Sequence, residues 1–441
     1  MRVQGISRHI DWFVISLYGL LVLMGWVNIY AANFQLEHPN IFDNSMEYGK
    51  QFIWIIGAVI LIIAILLLDS GFIINSSLFI YGGVVLLLVL VLLFGKEVNG
   101  ARSWFGVGSF GIQPSEFAKF GTALAIARYL SLPGIKFNKN SNKLRAYAII
   151  ALPALLILLQ PDAGTVLVFI GFVFVLYREG LSGNILLLGL LAIVLGVLSL
   201  LFKPILVEIP FTDYQMPGQY LMMIVLVLLA TAAFFLMMKF IVPRKRKGMS
   251  QLLIFSVLGS LLFLASVDLI FENALDDHQK KRINILLGLE EDPLGAGYNV
   301  NQSKTAIGSG EFFGKGFLNG QLTKYKYVPM QSTDFIFCTV GEEWGFVGSS
   351  IVVILFVMLM VRLIIIAERQ KLVFSRIYGY SVASIIFMHF LINIGMAIGL
   401  APVIGIPLPF FSYGGSSLWS FTILIFIFIR LDSNRLEKLS S

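Results

Sequence analysis

Charge is what this chain of 441 residues has least of: Asp, Glu, Lys and Arg together make 13% of it, against 58% hydrophobic residues. With a mean hydropathy of +0.87, that balance excludes an ordinary soluble domain. A single cysteine, Cys338, excludes an internal disulfide. The four histidines, His9, His38, His278 and His389, offer no pair with metal-ligand spacing, which argues against a zinc site. The net charge of +7 is spread over short loops and forms no basic patch, so nucleic acid is not the partner it indicates.

What the chain does have is apolar runs of roughly 17–25 residues, the length that crosses a hydrocarbon core about 30 Å thick. They lie near 11–31, 51–68, 74–94, 112–131, 146–160, 163–178, 184–202, 219–241, 251–271, 346–366, 377–400 and 410–430. Lipid offers the backbone no hydrogen-bond partner, so each run reads as a helix and the whole as an all-α polytopic membrane bundle of about 12 spans. The first run lacks a small-residue cleavage site and is expected to be a retained anchor helix. The run 112–131 starts with Gln113, Ser115, Glu116 and Lys119, too polar for lipid, and is expected to face the bundle interior. The segments flanking Gln160-Pro161-Asp162 read either as two spans or as one kinked hairpin.

Cations orient the set by the positive-inside rule. Arg2 and Arg8, the group Lys136, Lys139, Lys143 and Arg145, then Arg178, Arg244 to Lys247, Arg362 to Arg376 and Arg430 to Lys438 alternate with loops poorer in Lys and Arg. This predicts both termini in the cytoplasm. The one long polar interval, 272–345, then becomes a large extracytoplasmic loop in a single membrane domain.

That loop carries Glu291-Asp292-Pro293-Leu294-Gly295-Ala296-Gly297-Tyr298. An Asp before Pro often only starts a turn. Here the neighbouring glycines suggest a tight turn into a short helix, and Arg282 and Lys304 stand near in sequence, so Asp292 is also a candidate base facing an anionic substrate. Glu116 and Lys119, three residues apart, either neutralise each other or place Lys119 beside a phosphate together with Arg102, a residue suited to forked phosphate contacts. Asp162 reads as a helix cap that can also line the same cavity. Asn393 reads as interhelical glue or as a substrate contact, and His389, one turn earlier, as a hydrogen-bonded packing residue. The run Gly405 to Ser417, with Pro407, Pro409, Gly414 and Gly415, is expected to be broken, re-entrant backbone.

Several of these segments together resemble the SEDS family of bacterial cell-wall polymerases (shape, elongation, division and sporulation). They are Asn99 to Trp104, Gln113 to Lys119, Gln160 to Thr165, Asp292 to Tyr298, Ala306 to Gly310, Thr333 to Phe337, Gly341 to Phe346 and Pro407 to Ser417. The short termini and the Gln113-Pro114-Ser115-Glu116 wording resemble the elongation branch more than the division branch.

The resemblance implies a peptidoglycan glycosyltransferase acting on lipid II. Asp292 would take a proton from the acceptor 4-hydroxyl, which attacks the donor MurNAc anomeric carbon while undecaprenyl pyrophosphate departs. It also implies that Trp104, Glu116 and Lys119 lie in or near the cavity, and that a class B penicillin-binding protein of the elongation machinery is the crosslinking partner. No dedicated metal cage is evident, although a carboxylate and a diphosphate can share a Mg²⁺ or Mn²⁺ ion.

Two features depart from the family pattern. The usual chain has about ten spans, so 203–271 is expected to hold an inserted helical hairpin with its basic turn at Arg244 to Lys247. Met330 and Ser332 replace the Glu and His common before Thr333-Asp334-Phe335. Two rival functions remain open at this level: a lipid II transporter, which needs a charged path through the bilayer, and a noncatalytic scaffold, which has no use for Asp292.

Overall fold

The computed structural model describes residues 10–98, 101–107, 110–135, 137, 139–208, 215–273, 277–290 and 296–435. The chain forms two compact units, one of Met1–Leu181 with Tyr298–Ser441 and one of Ser182–Gly297.

The first unit opens with α1 (Trp12–Asn33), started by Asp11, whose carboxylate accepts the Val14 N–H. Then come α2 (Glu47–Leu67) and α3 (Ser70–Phe94), the latter capped by Asp69. A small antiparallel sheet follows, ordered β1 (Lys96–Val98), β2 (Ala101–Val107), β3 (Phe110–Ile112). Helix α4 (Pro114–Leu130) begins with proline at its first position, where no backbone donor is lost. It is buried on nearly every side, as its polar start predicts for a helix that faces the bundle interior. Helix α5 (Asn140–Leu158) leads to α6 (Ala163–Phe169) and α7 (Phe172–Arg178). The sequence predicts one span over 163–178, and the structure keeps helical backbone across it, with only the hydrogen bonds tightening at Ile170 and Gly171 between α6 and α7. A Cβ at Gly171 would lie 2.7 Å from the Met388 side chain and 3.1 Å from the Ser384 carbonyl, so close packing demands the glycine.

The second unit holds α8 (Gly183–Phe202), a two-stranded ribbon of β4 (Leu206–Glu208) and β5 (Gln215–Pro217), α9 (Gly218–Phe240), α10 (Pro243–Asn273) and α11 (Asp277–Leu286). Helices α8, α9 and α10 pack pairwise on one another. The basic residues Arg244 to Lys247 fall in the first turn of α10, where a loop was expected.

The chain then continues through α12 (Ala296–Ser309), α13 (Gln321–Lys324), α14 (Ile336–Glu368), α15 (Val373–Ala397) and α16 (Gly415–Ser433). Among the described residues ten helices are long and apolar enough to cross a membrane, and α4 with the α6–α7 pair complete the twelve expected segments. Residues 402–408 are irregular, as the prolines and glycines predict.

Ion pairs gather at one end of the first unit. Arg362 forks onto Asp11 at 2.7 and 3.3 Å, and Arg369 bridges Asp11 and Asp432, so the start of α1 and the ends of α14 and α16 are tied together. Burial pushes the Asp11 carboxyl up, but the Arg362 and Val14 hydrogen bonds and the two arginine charges more than offset it and hold it below its ordinary range. At the other end, α14 bends at Gly345 (φ 63°). The loop 310–316 lies against this bend so tightly that a Cβ on Gly345 would sit 2.3 Å from the Gly314 nitrogen. Glu342 stitches the same region, accepting from Lys315, the Leu322 and Thr323 N–H groups and the Thr323 hydroxyl at 2.7–2.9 Å. Ser332, one of the departures from the family pattern, donates to Glu47 at 2.7 Å.

Candidate active site

The polar centre of the first unit is built on α4. Its first turn brings Glu116 and Lys119 to one face, and the Lys119 ammonium donates to Glu116 Oε2 at 2.8 Å. The same ammonium lies 2.8 Å from His389 Nε2 and 4.4 Å from the centre of the Phe421 ring. His389 Nδ1 is 3.1 Å from the Pro407 carbonyl, which only a ring N–H can satisfy. Nε2 is therefore the acceptor, and the imidazole relays the loop carbonyl to the lysine. Glu116 also accepts from Ser420 at 3.3 Å. All four polar side chains are buried. Lys119 thus has two hydrogen-bond partners and an aromatic ring around its buried ammonium.

Beside this group, Asp162 caps α6 through the Thr165 N–H at 3.0 Å and the Thr165 hydroxyl at 2.8 Å. Its second oxygen also accepts from Gln113 and Ser115 at 3.1 and 3.2 Å, which joins the break after α5 to the start of α4. The Gln113 N–H donates to Ser416 Oγ, which donates to the Gly111 carbonyl, linking β3 to the first turn of α16. Asn393 donates to the Asp334 and Ile406 carbonyls at 2.8 and 2.7 Å, and its own Oδ1 is buried with no partner. That geometry matches the glue reading and leaves one acceptor open.

Trp104 and Arg102 stand on β2, opposite Lys96 and Glu97. Trp104 is half-buried, its ring so close over Gly111 that a Cβ there would be 2.8 Å away, while Arg102 is exposed. Lys304 is exposed on α12, its alkyl chain lying against Gly399. The neighbouring Ser303 fixes that helix to the Ala397 carbonyl at 2.8 Å. Asp292 lies outside the described residues.

The structure therefore joins Glu116 and Lys119 in one group, with Asp162 and Asn393 anchoring the backbone around it, and leaves Arg102 and Lys304 as exposed cations. Sequence reading missed the coupling of His389 to Lys119. The sequence offers only that His389 and Asn393, four apart, share one helix face; the structure shows that both bind carbonyls of the 402–408 stretch. Among the described residues no three His, Cys, Asp or Glu side chains are grouped to hold a metal.

Comparison with known proteins agrees with this architecture. Peptidoglycan glycosyltransferase RodA of Treponema pallidum is 34% identical over 99% of this chain and 100% of its own length. Peptidoglycan glycosyltransferase MrdB of Escherichia coli K12 is 34% identical over 75% of this chain and 70% of its own. Among solved structures, a chain from a peptidoglycan synthase complex that coordinates polymerization and crosslinking has a TM-score of 0.66 at 26% identity, covering 97% of this chain and 98% of that one. The rod shape determining protein RodA of Thermus thermophilus shares the fold, with a TM-score of 0.60 at 23% identity over 97% of each chain. The cell cycle protein model of FtsW, RodA and SpoVE matches residues 11–216 and 219–437, so this chain belongs to that family, the SEDS proteins.

Proposed function

We propose that the chain is a peptidoglycan glycosyltransferase that polymerises lipid II into glycan strands during cell elongation. The observation that carries this reading is the match to the Treponema pallidum enzyme, 34% identical over 99% of this chain and 100% of that one. In the reading, Asp292 is the general base: it accepts the proton of the acceptor 4-hydroxyl as that oxygen forms a bond to the donor anomeric carbon and the bond to undecaprenyl pyrophosphate breaks. The exposed cations Arg102 and Lys304 meet the diphosphate, and Trp104 offers a ring face to the sugar or lipid. Glu116, Lys119, Asp162 and Asn393 hold the polar frame of the site. A Mg²⁺ or Mn²⁺ ion, if used, would rest on Asp292 and the substrate phosphates, and adding a chelator tests for it.

The chain would sit in the bacterial inner membrane with its ion-paired end and both termini in the cytoplasm, and the 272–345 segment outside. A class B penicillin-binding protein would crosslink the product. The test is purified chain with that partner and lipid II in detergent. Wild type is expected to make glycan strands, and Asp292→Ala to lose about 100-fold or more of the rate. Equal yields would remove Asp292 as the base. Absence of polymer from wild type, with lipid II crossing vesicle membranes, would make the chain a transporter.

A further inference from the structure

We propose that Phe312, Phe313 and Phe346 form an aromatic wedge that inserts into the interfacial layer of the bilayer and fixes the height of the 310–316 loop above the membrane. The rings form one cluster: Phe312 and Phe313 are 4.9 Å apart edge-to-face, and Phe312 stacks on Phe346 at 5.7 Å. They are 57%, 79% and 62% exposed, far more than a water-facing loop tolerates for three adjoining phenylalanines.

Two observations set their depth. The Phe346 N–H donates to the Glu311 carbonyl at 2.9 Å and the Val347 N–H to the Phe312 carbonyl at 3.1 Å. The loop thus supplies acceptors to the first donors of the apolar part of α14, just past the bend at Gly345, and is pinned where that span begins. Independently, Phe317, the residue after this loop, tilts against Trp344 at 6.0 Å and stacks on Tyr30 at 6.3 Å, in the last turn of α1. One span's end and another's start therefore share the level at which aromatic rings favour the membrane–water boundary. The occupant this level selects is the lipid interface. Farther along the loop the flanking chemistry changes, since exposed Tyr325 stands between Lys324 and Lys326.

The proposal stands independently of the catalytic reading, and site-directed spin labelling tests it. Cysteine is placed singly as Phe313→Cys, Phe346→Cys, Tyr325→Cys and Ile354→Cys in the full chain. Ile354 is exposed on α14, about 12 Å deeper than Phe346 along the helix. Buried Cys338 remains, and labelling of the parent chain gives the background. In vesicles of phosphatidylethanolamine and phosphatidylglycerol, collisions with oxygen and with a water-soluble nickel chelate are compared.

The expected result is an oxygen-to-nickel ratio at 313 and 346 at least about threefold above that at 325 and below that at 354. A ratio at 313 and 346 equal to that at 325 would place the rings in water and overturn the proposal. Protection from both reagents would overturn it as well, showing the rings covered by protein, whether a second copy or another part of the chain.

Discussion

Helix α16 and helix α9 are near opposites. α16 is among the less apolar of the ten candidate spans, yet 83% of its most apolar window is buried; α9 is among the more apolar and only 6% of its window is buried. The other long helices of the second unit, α8 and α10, match α9 at 6%. In water the most apolar element would be the core. In lipid the surroundings are as apolar as the core, so the interior is marked by the groups lipid rejects. Accordingly the first unit concentrates buried polar side chains, among them Glu116, Lys119, His389, Asn393 and Asp432. The long helices of the second unit present mostly bare leucine, isoleucine, valine and phenylalanine.

The contrast breaks first at Glu116. Glu116→Ala leaves the Lys119 ammonium buried without its carboxylate, an expected loss of about 3–5 kcal/mol in unfolding free energy. Leu190→Ala on α8, at a residue 60% exposed, is expected to stay within about 0.5 kcal/mol. Thermal unfolding of both variants in one detergent decides it, and equal losses would mean that the second unit has a core of its own kind.

A smaller effect separates the two kinds of polar contact within the first unit. Asn393→Leu keeps the volume but strands the Asp334 and Ile406 carbonyls, at an expected cost of about 1–3 kcal/mol. Hydrogen exchange should rise in the 401–414 segment and not in α2; a uniform rise would make Asn393 a general packing residue.

The smallest effect lies in the water-facing loop between α1 and α2. There the Ser45 hydroxyl and N–H, then the His38 ring, donate to Asp43 and hold its carboxyl below the ordinary 3.8. Because the folded value is depressed, this contribution is complete above pH 3.8 and disappears as pH falls through the lower folded value. Protection of the Ser45 N–H, its exchange rate taken relative to the intrinsic rate at each pH, should therefore be flat from neutral pH to about 5 and fall only below that value, and Asp43→Asn should remove the step.

How much of this was legible follows the same physics. Each of the twelve expected segments falls on helix, because spanning lipid leaves the backbone no other way to satisfy itself. The sheet of β1 to β3 was not legible: three short strands in a glycine-containing loop carry no alternating pattern long enough to read. Nor was the need for glycine at 171, which is set by Met388 and Ser384 from a helix more than 200 positions away. In the site, the Glu116–Lys119 pair was legible from its spacing, and the cap at Asp162 from its residue type. The second hydrogen-bond partner of Lys119 was not, since His389 lies 270 positions on and only the packing of α4 against α15 brings it there.

The two carbonyls that receive the N–H groups of Phe346 and Val347 also bear on how the chain is made. Glu311 and Phe312 leave the ribosome before the span that begins at Phe346, so the residues whose carbonyls that span uses are made before it. The pairing runs both ways, since the Lys315 and Gly316 N–H groups donate to the Glu342 and Glu343 carbonyls, so loop and bend close together and the span begins with its first donors satisfied outside the lipid.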